Sequence, residues 1–234
     1  MPIAQTPRDE DSAPLAPHWH TAALVTLQLA VAMTGWWLTT RGGAPPPSPA
    51  ENRVGGVYFP IVVVQTGLAL YVARVGRPRS ALTALVGRGW STGGRAFGDI
   101  ALAVCGWVAI VAFDHAASRA FGAGTPPSVV AMLPDSVLER LAWGVVALVV
   151  AFSEELVFRG YLQTQLAAVV GPGGAIALQA VLFAIAHGEQ GALGIGRMVV
   201  YGLLLGVLAR ARRSLVPGML CHALTNVVSG LARG

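Results

Sequence analysis

Long apolar runs separated by short breaks of proline, glycine and arginine dominate the chain. The runs cover about 21–40, 57–73, 97–117, 136–170, 174–187, 195–209 and 215–231. Crossing the hydrocarbon core of a bilayer takes about 20 residues, so the pattern predicts an all-α, polytopic transmembrane bundle of about seven spans. The breaks at 44–49, 74–95, 122–127, 171–174 and 210–217 carry the residues that end helices. None is long enough to hold a second domain. Residues 1–19, with four prolines and mixed charge, read as a disordered tail. Residues 20–135 hold the first spans and a basic loop, and 136–232 form the stretch that carries the chemistry.

Composition agrees with this reading. Of 234 residues, 54% are hydrophobic and only 12% charged, against roughly 25% charged in soluble domains, and the mean hydropathy is +0.62. All 16 basic residues are arginine, and the formal charge is +5. The arginines fall in short loops, so they report topology and argue against nucleic-acid binding. Arg74, Arg77, Arg79, Arg88 and Arg95 follow the second span, and Arg210, Arg212 and Arg213 follow the sixth. Both loops are expected on the cytoplasmic side, which puts the N-terminus in the cytoplasm and the C-terminus outside. The Arg, Ala, Gly and Val bias suggests a GC-rich bacterial genome, hence a bacterial cytoplasmic membrane. Cys105 and Cys221 both lie in apolar runs, where no disulfide is expected. The first run is too long for a signal-peptide core and is expected to stay attached.

Against this background the polar groups inside the runs stand out. Glu154, Glu155 and Arg159 lie in one apolar segment, His187 ends the next, and His222 and Asn226 lie in the last. A charged side chain at the centre of a spanning helix costs roughly 2.5–3.5 kcal/mol on insertion scales, so such groups persist where they pair or react. Glu154 precedes Gly171 by 17 residues and His187 follows it by 16. An antiparallel hairpin turning at Gly171-Pro172 therefore brings them to one depth, and His222 enters from the same side. Helical spacing pairs Glu155 with Arg159, stacks Phe183 under His187, and sets His222 and Asn226 on one face. Glu154 is about 100° around the helix from Glu155, which gives the two acids different surroundings.

These residue types suit amide hydrolysis. A partly desolvated carboxylate is a competent general base towards water when an imidazole holds the same water, and Glu154 with His187 fits that role. His222 and the Asn226 amide can supply donors to the oxyanion of a tetrahedral intermediate. Other polar residues have simpler readings. Asp114 and His115 close the third span at an interface; His18, Trp19, His20, Trp36 and Trp37 are interfacial anchors. Asp99 sits near a helix N-terminus, where negative charge is welcome. Cys221 and His222 are adjacent on a helix and point apart.

At these residues the chain resembles the CPBP family, which includes the type II CAAX prenyl endopeptidases and bacteriocin-processing Abi proteins. Its three motifs are matched in order: Glu154-Glu155 to Arg159, Phe183 to His187, and His222 to Asn226. The resemblance covers about 136–231 and implies an intramembrane endopeptidase. It implies that Glu154 and His187 activate the water, that His222 and Asn226 stabilise the oxyanion, and that Glu155, Arg159 and Phe183 support the site. It also implies an active site facing the cytoplasm and a protein or peptide substrate, membrane-anchored or prenylated. A metal-free glutamate mechanism fits the set. A Zn2+ mechanism is the alternative, with Glu154, His187 and His222 as ligands, although no His-Glu-x-x-His helix is present. Two rival functions stay open: a non-catalytic immunity or scaffold protein that retains the fold, and a proton-coupled carrier using Glu154, Glu155 and His187. Glu189 has no assigned role.

Overall fold

The structure is a computed structural model that describes residues 14–40, 52–75, 86, 92–122 and 124–231. Arg77, Arg79 and Arg88 of the basic loop, and residues 1–13 of the expected tail, lie outside the described residues. Among the described residues the protein is all helical. The order is α1 (His18–Thr40), a π-helical turn (Val54–Tyr58) running into α2 (Phe59–Val75), α3 (Gly93–Phe121), a short α4 (Pro127–Met132) and α5 (Val137–Glu154). A π-helical stretch (Glu155–Leu162) then leads into α6 (Gln163–Ile185), followed by a 3-10 turn (Gly188–Gln190), α7 (Gly191–Arg212) and α8 (Val216–Leu231).

Helix ends follow local chemistry. Thr92 caps α3 by accepting the Arg95 N–H, and Gly122 ends it at φ 63°, a left-handed conformation suited to glycine. Ser136 and Glu139 form a reciprocal capping box at the start of α5. The same end of the bundle is clasped by Arg53, whose Nη1 lies 2.7 Å from Asp135 and 3.2 Å from Glu139. The hydrogen bond to Asp135 is the main cause that holds the Arg53 guanidinium above its ordinary pKa. Tyr58 adds a bond from its hydroxyl to the Met132 carbonyl.

At the opposite end Arg212 meets Asp99 at 2.6 Å, joining the start of α3 to the end of α7. Asp99 is fully buried and lies six residues past the first residue of α3, so it serves as a buried ion-pair partner and not, as expected, as a charge at the helix N-terminus. The cause is the helix start, which Thr92 moves upstream of the apolar run. Residues 14–19, expected in the tail, are tied down here: Leu15 and Ala16 are buried, α1 starts at His18, and the Ala16 backbone exchanges two hydrogen bonds with the Gln165 amide.

Hydrophobic faces turn outward as a bilayer requires, with Val137, Leu138, Leu141, Val145 and Leu148 of α5 exposed. Four described segments are long and apolar enough to cross a membrane: Val54–Val75, Gly93–Phe121, Val137–Ile185 and Gly188–Arg212. Val216–Leu231 is apolar but shorter. The expected count of about seven spans is thus not matched in full: α1 is not among the four, and the expected fourth and fifth spans fall within one segment of 49 residues.

That segment reverses at Gly171, whose φ of 73° and ψ of 169° break the helix just before Pro172. Phe158 and Phe183, 13 and 12 residues from Gly171, meet edge to face with ring centroids 5.1 Å apart. The two arms therefore run antiparallel. The returning arm packs against α7 and α5 packs against α2 and α8. At Gly202 a methyl group would lie only 2.7 Å from the Ala180 Cα, so the close approach of α6 and α7 requires glycine there. Gln179 donates to the Gly202 carbonyl at 2.9 Å and Gln163 to the Gly206 carbonyl at 3.1 Å. Interhelical polar bonds of this kind hold spans together where burial of apolar surface cannot.

Candidate active site

The π-helical stretch lies at the centre of the bundle. Of its eight residues only Leu156 is not fully buried, and π-helical turns recur at functional sites because they re-aim side chains. Glu155 is completely buried, and its Oε1 accepts from Arg159 Nη1 at 2.9 Å and from His222 Nδ1 at 3.1 Å. The Arg159 guanidinium carbon stands 4.3 Å from the centroid of the Phe183 ring, within cation–π range. One carboxylate thus joins the central helix to α8, and one aromatic ring joins it to α6.

Glu154, only 7% exposed, takes the other direction. Its Oε1 accepts from the Gln65 amide of α2 at 2.9 Å. Its Oε2 has no hydrogen-bond partner among the described residues and faces His222 Nε2 at 3.8 Å. His222 accordingly has one ring nitrogen on Glu155 and the other towards Glu154. The adjacent carboxylates share His222 through its opposite ring nitrogens and otherwise have separate partners, Gln65 for Glu154 and Arg159 for Glu155.

His187 is placed differently. Its Nδ1 hydrogen-bonds the Phe183 carbonyl at 2.8 Å, and its ring packs on Phe183 with centroids 4.6 Å apart. The Phe183 ring also lies edge-on to His222, 6.2 Å between centroids. Both imidazoles thus pack on the Phe183 ring, and the imidazole paired with Glu154 is that of His222. Asn226 lies one turn beyond His222 on α8, half-buried, with its backbone carbonyl accepting from the Trp143 indole at 2.9 Å. No group of three His, Cys, Asp or Glu side chains among the described residues is arranged to hold a metal.

Other polar residues fall outside this centre. The Tyr201 hydroxyl donates to Asp114, and Arg197 donates to Ser118 at 3.0 Å, which ties α3 to α7. His115 is exposed. Cys221 is buried with its sulfur towards Gly106 of α3. Glu189 lies in the 3-10 turn, where its backbone carbonyl accepts from Ser128. Gln65 was missed by sequence reasoning, although an amide in the middle of the apolar run 61–70 was a signal.

Residues 136–228 match the family model described as Type II CAAX prenyl endopeptidase Rce1-like. No curated protein and no solved structure matches the chain. The matched stretch contains α5, the π-helical stretch, α6, α7 and most of α8, and with them every residue of the three motifs. Residues 136–228, about two fifths of the chain, are thus similar to the Rce1-like type II CAAX prenyl endopeptidases.

Proposed function

We propose that the protein is an intramembrane endopeptidase that hydrolyses peptide bonds with a water activated by Glu154. The observation that carries this reading is the pair formed by Glu154 Oε2 and His222 Nε2, 3.8 Å apart, with the carboxylate oxygen otherwise unpartnered. Two atoms at that separation can each lie about 2.8 Å from a common oxygen atom. A water held there attacks the scissile carbonyl carbon, its proton passes to Glu154, and the same proton is delivered to the leaving amine as the C–N bond breaks. Glu155 fixes the imidazole of His222 through its Nδ1. Asn226, on the same helix face, donates to the oxyanion. His187, packed on the same Phe183 ring as His222 and holding the Phe183 carbonyl through its Nδ1, keeps its Nε2 for the substrate or its water.

The substrate is a protein or peptide reached within or at the edge of the bilayer, and the family description makes a prenylated peptide the first probe. The arginine pattern supports a cytoplasmic N-terminus and an active site open to the cytoplasmic face. The test is Glu154→Gln, which keeps volume and removes the base. We expect cleavage to be lost with the unfolding temperature unchanged. Cleavage at the wild-type rate would end the proposal and favour a scaffold that keeps the protease fold.

A further inference from the structure

We infer that Gln65 is a positioning residue for Glu154, a role that rests on the reading of Glu154 as the base. Gln65 belongs to α2, outside the stretch 136–228 that carries the family motifs. It interrupts an otherwise apolar sequence, Ile61-Val-Val-Val-Gln65, and an unpaired amide in hydrocarbon costs several kcal/mol. Its Nε2 donates to Glu154 Oε1 at 2.9 Å. That single bond divides the carboxylate in two. Oε1 is held by the amide, and Oε2 is left without a partner and directed at His222 Nε2.

Glu154 needs this support because its own helix gives none: Arg159 is bonded to Glu155 and not to it. Without Gln65 the Glu154 side chain can rotate so that either oxygen turns away from His222. The substrate would still bind, but the base would be misplaced, and a displacement of about 1 Å costs on the order of a hundredfold in rate. The role therefore predicts a fall in kcat at constant KM. A residue that only glues α2 to α5 would instead change stability and leave turnover per folded molecule intact.

The experiment compares wild type, Gln65→Met, Gln65→Asn and Glu154→Gln as full chains in lipid nanodiscs. A prenylated peptide ending in a CAAX sequence is the turnover probe. The infrared difference between wild type and Glu154→Gln isolates the carboxylate bands of Glu154 and needs no substrate. Gln65→Met is near the native length but cannot donate; we expect its kcat to fall about ten- to a hundredfold, KM to stay, and the carboxylate bands to move. Gln65→Asn keeps the amide but falls one methylene short, and should lie between; it carries the test if the Met variant does not fold. Unmoved bands with wild-type kcat in Gln65→Met, while Glu154→Gln is inactive, would overturn the role of Gln65 and leave the base in place. Turnover retained by Glu154→Gln would overturn the base reading itself.

Discussion

Glu155 makes two bonds from a single oxygen atom, one to a guanidinium and one to an imidazole. A Glu–Arg pair four residues apart usually reads as helix glue, and the pairing with Arg159 was legible for that reason. The second bond was not, because nothing in the local spacing of either motif says that α8 passes at Glu155. Removing one member of a buried pair strands the other charge, at a cost of about 3–5 kcal/mol. Glu155→Ala should therefore lower the unfolding free energy of the reconstituted protein by that amount. A change under about 1 kcal/mol in denaturant titration would show that Arg159 finds another partner. The position of His187 was also only partly readable. Its depth followed from the distance to Gly171, but α6 ends at Ile185 and the ring turns back to the carbonyl one turn earlier.

Between elements, contacts of closest approach decide what can change. A methyl group added at Gly218 would stand 2.9 Å from Glu155 Oε2, since α8 runs directly over the buried acid. Gly218→Ala should cost about 1–3 kcal/mol through overpacking and should also slow turnover, because Glu155 is displaced against His222. Thermal unfolding and cleavage measured on the same preparation check both effects; the expected loss of stability without any change in cleavage per folded molecule would contradict the coupling. The antiparallel pairing of the arms about Gly171-Pro172 was readable in the sequence because a turn signal lies midway between two motifs. The π-helical stretch was not, since its composition matches an ordinary helix.

For the molecule as a whole, the arginines do two jobs that composition alone does not separate. Arg210, Arg212 and Arg213 all count as topology signals, but Arg212 also neutralises the buried Asp99 and joins α7 to α3. Arg212→Gln should therefore lower the melting temperature far more than Arg210→Gln or Arg213→Gln, whereas equal effects in a thermal-shift comparison would reduce Arg212 to a loop charge. The all-helical class and the chemistry-bearing segment could be read from the sequence, because intramembrane charges are few and conspicuous. The contribution of α2 could not be, since one glutamine in an apolar run carries no motif.

The widened winding at Glu155–Leu162 has a consequence for how the gene can vary. A π-helical turn holds more residues than a regular one, so losing one codon inside it would let the segment relax to regular pitch with the flanking helices kept nearly in register. The side chains within the stretch, Glu155 and Arg159 among them, would be re-aimed while the helices on either side stay in place. A one-codon deletion there would thus spare the fold and dismantle the site, even though the stretch has the composition of a plain greasy helix.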